Sequence, residues 1–283
     1  MLQSALRLFK KNSKPSFLII GSEKGGTTAL FAYLAKHPQL LRAMQKETEY
    51  FNKDILFEKG HDWYESNFPP QYFWQTKQGF EASPGYLYYP QCAKRIMEYN
   101  PDIKVIAILR NPVSRAYSAW NMHRQLKHKD HDFLAGRLST HLPRIAERMR
   151  EYYNHPYFED FTKLTSHLIS KYQSGNTEEE PSLLLRGLYA NQLKKYFDIF
   201  PKKQVLVLES AELKNNKTEI LDLICEYLSV GKIDWAKTGA LDKKQHEREY
   251  SNPIPAEAET MLKIFYAPFN EELFSLLGKR YNW

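Results

Sequence analysis

The sequence predicts an α/β fold of three layers, with a mainly parallel central sheet flanked by helices. Three observations predict it. The apolar runs at residues 17–20 and 104–109 are continuous rather than alternating, as strands covered on both faces are. Strand-like and helix-like segments alternate along the chain, the plan of parallel sheets. A chain of 283 residues with 42% hydrophobic content can also bury a large core in one piece.

Taken in order, residues 17–21 read as a strand, and residues 27–36 as a helix with Leu30, Phe31 and Leu34 at helical spacing. Short strands are expected at 39–42 and 79–82, then the run at 104–109, which ends in Arg110 before Pro112 opens a helix. The last strand is expected at 204–208. Residues 121–181 read as a helical insertion. Its His123, His128, His131 and His141 lie among many Lys and Arg without a compact ligand spacing, so a solvated basic face is expected and no metal site. The polar stretch 173–181 is expected to be a mobile loop. Without linker or repeat, residues 1–283 are expected to form a single domain.

The chemistry begins between the first strand and helix, in Gly21-Ser22-Glu23-Lys24-Gly25-Gly26-Thr27-Thr28. A glycine turn opening a helix aims backbone N–H groups and the positive helix end at an anion. Gly21, Gly26 and Thr28 fit the Walker pattern G-x-x-x-x-G-K-[ST], which places the fold in the P-loop type, but Thr27 stands where its lysine belongs. The lysine is Lys24, inside the loop. That shift points away from a transferred phosphoryl and toward a group leaving a 5′-phosphate; the competing reading is an ordinary glycine turn. After the strand at 104–109, Arg110 leaves the end of the sheet where open α/β folds bind ligands, and Ser118 follows two helical turns later. The two side chains suit one phosphate, against a reading of Arg110 as a loop ion pair and Ser118 as a solvated residue.

Together these motifs resemble the sulfotransferases that use 3′-phosphoadenosine-5′-phosphosulfate (PAPS), most of all the heparan sulfate glucosaminyl branch and its bacterial relatives. Further segments extend the resemblance over most of the chain. Gln45-Lys46-Glu47-Thr48-Glu49-Tyr50-Phe51-Asn52 resembles the stretch carrying the branch's catalytic glutamate, and Glu81-Ala82-Ser83-Pro84-Gly85-Tyr86-Leu87 its substrate-side stretch. Arg186-Gly187-Leu188-Tyr189 and the C-terminal stretch from Phe265 to Gly278, with Trp283, are also similar. The resemblance implies PAPS as cofactor and 3′,5′-adenosine bisphosphate (PAP) as product. It implies Glu47 as general base and Lys24 as electrostatic acid, with Gly25, Gly26, Thr27 and Thr28 cradling the 5′-phosphosulfate. Arg110 and Ser118 are implied to hold the 3′-phosphate, Tyr189 to contact the cofactor, and Arg248 and Ser251 to be late-loop partners by position alone. No metal is required, although Thr28 occupies the magnesium place of ATPases.

The sequence departs from that branch in three places. Ala82 replaces a lysine, Glu49 a histidine, and residues 241–253 lack the cysteines of the animal enzymes' late loop. Lost positive charge and the grouping of Glu47, Glu49 and Glu81 near Tyr50, Phe51, Tyr86, Tyr88, Tyr89 and Trp120 favour a neutral or cationic natural product as acceptor over an acidic glycan. The alternative is a glycan groove restored by Lys46, Arg42 and the basic 121–150 region. A nucleotide kinase is a remote alternative, lacking a lysine at Thr27 and an acidic magnesium ligand after Leu109. So is a non-catalytic anion-binding module, since Lys24 and Glu47 are both present.

A net charge of +7, from 40 Lys plus Arg and 33 Asp plus Glu, suits an anionic cofactor. The basic residues are dispersed and no nucleic-acid-binding signature occurs, so no nucleic-acid partner is expected. Oligomeric state is left open. Cys92 and Cys225 are far apart in sequence, as suits a reduced compartment, with one long-range disulfide left open. Residues 1–11 lack an apolar signal core, and nothing approaches the ~18 apolar residues of a membrane span. A cytoplasmic, bacterial enzyme without a membrane partner is expected.

Overall fold

The computed structural model describes residues 10–72, 77–129, 143–177, 182–239 and 252–283. In chain order the elements begin with β1 (Lys10–Asn12), β2 (Pro15–Gly21), α1 (Thr27–Leu34), β3 (Leu40–Arg42), α2 (Asp54–Phe57) and α3 (Gly60–Glu65). There follow β4 (Pro70–Tyr72), β5 (Gln78–Ala82), α4 (Gly85–Tyr88), α5 (Cys92–Tyr99), β6 (Lys104–Leu109) and α6 (Pro112–Lys129). The rest are α7 (Pro143–Asn154), α8 (Phe161–Gln173), α9 (Tyr189–Phe197), β7 (Val205–Glu209), α10 (Ser210–Asn215), α11 (Lys217–Leu228) and α12 (Ala256–Leu277).

These elements gather into two compact units. The first comprises residues 1–110 and 192–247, the second residues 111–191 and 248–283. The first holds a five-stranded sheet in the order β3-β5-β2-β6-β7, and every adjacent pair is parallel. β2 is central because it has no polar side chain between Phe17 and Ile20, so all four residues are wholly buried. Phe17 and Ile19 face Leu30 and Leu34 of α1 and Leu221 and Ile224 of α11. Phe17 also stacks on Phe80 of β5, with ring centroids 4.8 Å apart. β1 and β4 form a separate antiparallel pair that the sequence reading did not include.

The second unit is helical, around a core that includes Val113, Trp120, Phe161, Leu184, Leu262 and Tyr266. α6 starts where the Asn111 side chain accepts from the amides of Val113 and Ser114, an N-terminal cap made by the residue before Pro112. Within this unit His123 corrects the expected solvated histidine face. It is 3% exposed and its Nδ1 lies 2.8 Å from the Tyr153 hydroxyl, because α6 turns that side toward Tyr152 and Tyr153. His128 stays exposed and pairs with Glu159, while His131 and His141 lie outside the described residues. So do residues 178–181 of the expected mobile loop.

Among the described residues no helix is long and apolar enough to cross a membrane. Cys92 and Cys225 are both free and buried, which leaves the disulfide alternative aside.

Candidate active site

The phosphate loop is built at the end of β2 and locked to β6. The Ser22 amide and hydroxyl both donate to the Ile108 carbonyl, at 2.8 and 3.1 Å, and the Gly25 amide closes back onto the Ser22 carbonyl at 2.9 Å. A Cβ on Gly25 would lie 2.4 Å from the Ile108 oxygen, so only glycine fits this turn. Lys24 and Gly26 take left-handed φ values of 64° and 109°, which swing the chain into α1.

No side chain caps α1, and its first internal hydrogen bond runs from the Leu30 amide to the Gly26 carbonyl. The amides of Thr27, Thr28 and Ala29 therefore lie outside the helix's own ladder and supply donors for an anion. Thr27 is buried, while Lys24 and Thr28 are half-buried. Arg110, at the end of β6, donates from Nη1 to the Lys24 carbonyl at 3.3 Å. The two motifs, 86 residues apart in sequence, thus meet at one end of the sheet. This donor set of uncapped amides, an ammonium and a guanidinium fits a ligand with separated anionic groups.

Glu47 stands one strand away, on the loop after β3. Its amide donates to the Ala82 carbonyl at 3.1 Å, at the end of β5, and the Ser83 amide donates to Ile19 of β2 at 3.1 Å. Glu47 and Glu49 both have left-handed φ, 63° and 52°, a cost of about 1–2 kcal/mol each for residues other than glycine. Glu47 is exposed and ion-paired with Lys46; Glu49 is half-buried and ion-paired with Lys53.

Glu81 corrects the sequence reading most strongly. It is not an acceptor-side charge: it is wholly buried and receives the hydroxyls of Thr48, Tyr64, Tyr86 and Ser83 at 2.7–3.0 Å. Burial pushes its carboxyl up, and the four hydroxyls pull the other way. Burial and the neighbouring carboxylate push the Tyr64 and Tyr86 phenols well above their ordinary value, so both remain donors. The aromatic residues change role too. Tyr50, Phe51 and Tyr86 are wholly buried, and Tyr50 stacks on Tyr64 at 4.5 Å, so they are core. Trp120, 5% exposed, is core in the second unit, its Nε1 donating to the Phe158 carbonyl.

Ser118 lies in α6 and is 2% exposed, which overturns its reading as a solvated residue. Tyr189 opens α9, is 1% exposed and packs edge-on against Trp283. Arg248 and Ser251 lie outside the described residues. Thr48, Ser83, Tyr64 and Ser22 were missed as site-building residues. The signal available was the spacing Glu81-x-Ser83, which puts two polar side chains on one face of a strand end. Among the described residues no group of three or more His, Cys, Asp or Glu is placed to hold a metal.

Residues 14–248 match the family model described as the sulfotransferase domain. The chain belongs to the sulfotransferase family. Members of this family use PAPS. The human bifunctional heparan sulfate N-deacetylase/N-sulfotransferase 3 is 27% identical over 94% of this chain, which spans 30% of that relative's length. The mouse heparan sulfate glucosamine 3-O-sulfotransferase 5 is 25% identical over 95% of this chain and 74% of its own length. Among solved structures, a sulfotransferase from Alicyclobacillus acidocaldarius superposes with a TM-score of 0.66 at 24% identity, over 95% of this chain and 98% of its own. A mouse sulfotransferase, SULT7A1, complexed with PAP, gives 0.52 at 14% identity, over 96% and 88%. Both likenesses bear on the fold, and the PAP belongs to the mouse protein.

Proposed function

We propose that this sulfotransferase transfers a sulfuryl group to a hydroxyl or amine by in-line displacement, with Glu47 as base and Lys24 as the cation at the departing phosphate. The hydrogen bond from Arg110 to the Lys24 carbonyl carries the reading, because it brings both anion motifs to one end of the sheet. PAPS, when bound, supplies the sulfuryl group and departs as PAP. The amides of Thr27 and Thr28 bind the 5′-phosphate, and Lys24 offsets the charge that grows there. Arg110 binds the 3′-phosphate; Ser118 joins it on the strength of motif order, and Tyr189, Arg248 and Ser251 on resemblance. Glu47 takes the acceptor's proton on a carboxylate oxygen once Lys46 yields its place to the acceptor.

For the acceptor we propose a sugar hydroxyl or amine of a glycan. The small neutral or cationic natural product rested on three carboxylates and a set of rings. Glu81 is buried, Glu47 and Glu49 are ion-paired, and Tyr50, Phe51, Tyr86 and Trp120 are core, so most of those supports are withdrawn and only the half-buried Tyr88 and Tyr89 remain of the rings. Two relatives matched over 94–95% of the chain carry heparan sulfate in their names, which supports the sugar. Incubation with PAPS and desulfated polysaccharides, beside neutral and cationic metabolites, tests both parts by mass detection of PAP and sulfated product. Product on the polysaccharides is expected; product on a metabolite alone overturns the acceptor, and no PAP with any acceptor overturns the transfer.

A further inference from the structure

The Glu81 carboxylate has no solvent exposure, and the proposed chemistry does not use it. Oε1 receives Thr48 Oγ1 at 2.8 Å, Tyr86 at 2.7 Å and Tyr64 at 3.0 Å, and Oε2 receives Ser83 at 2.7 Å. Two of these hydroxyls reach the loop that carries Glu47. Thr48 is the next residue, 7% exposed, and lies between the left-handed backbones of Glu47 and Glu49. The Ser83 hydroxyl, while donating to Glu81, accepts the Glu49 amide at 3.2 Å. The remaining donors come from elsewhere: Tyr64 from α3 and Tyr86 from α4, the latter also 3.0 Å from Thr48 Oγ1.

We propose that Glu81 is a positioning residue, which fixes through Thr48 and Ser83 the strained loop on which Glu47 is carried. A loop with two non-glycine residues in left-handed conformation relaxes unless its surroundings hold it. Besides the backbone bond from the Glu47 amide to the Ala82 carbonyl, the side-chain bonds that hold it converge on one carboxylate at the end of β5, beside the strand that starts the phosphate loop. A buried network of this kind stays ordered only while every member is satisfied, so losing one hydroxyl loosens the loop without touching the anion-binding amides. The inference rests on the reading of Glu47 as base.

Thr48→Val keeps the side-chain shape and removes the tether. With whichever acceptor of the panel turns over, kcat is expected to fall about tenfold or more while the Kd for PAP stays within about twofold, and Thr48→Ser to restore the rate. In a Glu47→Gln background Thr48→Val is expected to change the residual single-turnover rate less than about twofold. Hydrogen exchange gives a readout apart from activity: the peptide spanning 44–52 should exchange faster in Thr48→Val and in Ser83→Ala, the peptide spanning 17–34 unchanged. Unaltered exchange in both variants, or an undiminished loss of rate in the Glu47→Gln background, overturns the proposal and leaves Glu47 as base. Full activity of Glu47→Gln itself removes the base and the positioning role together. Ser83→Ala decides the matter if Thr48→Val does not fold.

Discussion

Lys24, Glu47 and Arg110 contribute different charges to one end of a sheet, and their substitutions separate those contributions. Lys24→Ala is expected to lower kcat by on the order of 10²-fold, the effect of one lost transition-state donor, with unchanged melting. Near-native turnover in that variant removes Lys24 from the chemistry. Glu47→Gln keeps size and shape but takes up no proton, so kcat should collapse while PAP titrates normally. Glu49→Gln should be far milder, because Glu49 is half-buried against Lys53 whereas Glu47 is exposed; a dead Glu49 variant moves the base by two residues. Arg110 is half-buried, so Arg110→Ala should weaken PAP by about 2 kcal/mol, or ~30-fold, in calorimetric titration. Identical titrations place the 3′-phosphate elsewhere. The motif residues were legible because glycine, lysine and arginine are rarely interchangeable in a phosphate loop. Glu81 was misread because sequence does not tell a buried carboxylate from an exposed one. Only the fold brings Tyr64, Tyr86, Thr48 and Ser83 around it.

At the scale of elements, the five strands of the sheet lie within about two residues of their expected places; continuous apolar runs announce β2, β6 and β7, while β3 and β5 are short and carry Arg42 and Glu81. β1 and β4 were not legible: Lys-Lys-Asn and Pro-Gln-Tyr are three residues each, too short for any periodicity. The junction of β2 and α1 depends on a single missing side chain. Gly25→Ala drives a Cβ into the Ile108 carbonyl, and overpacking of this kind typically costs about 1–3 kcal/mol. A lower urea midpoint together with weaker PAP binding is expected. A variant matching wild type in both would mean that the loop does not close on β6 as described.

For the whole molecule, local patterns gave no sign of the two compact units, because the chain leaves the first at residue 110 and returns at 192. Such long-range closure is a property of packing, not of windows of sequence. Thiol reactivity probes the first unit as an intact body. Burial pushes Cys225 up to about 11 and Cys92 higher still, so at pH 8 only about one Cys225 in a thousand is a thiolate. Ellman's reagent should label the native protein slowly, faster as pH rises, and reach two equivalents at once in denaturant. Rapid native labelling would show that this core opens readily. The strand order bears on how such an enzyme changes its trade. The groups proposed to bind the donor follow β2 and β6, whereas the loop proposed to carry the base follows β3, on the other flank of the same sheet. Descendants altered only where residues 43–53 face outward, clear of the core and of the bonds to Glu81, can therefore explore new acceptors while inheriting the donor half intact, and a gene library confined to Met44, Gln45 and Lys46 should be rich in folded, PAP-binding members.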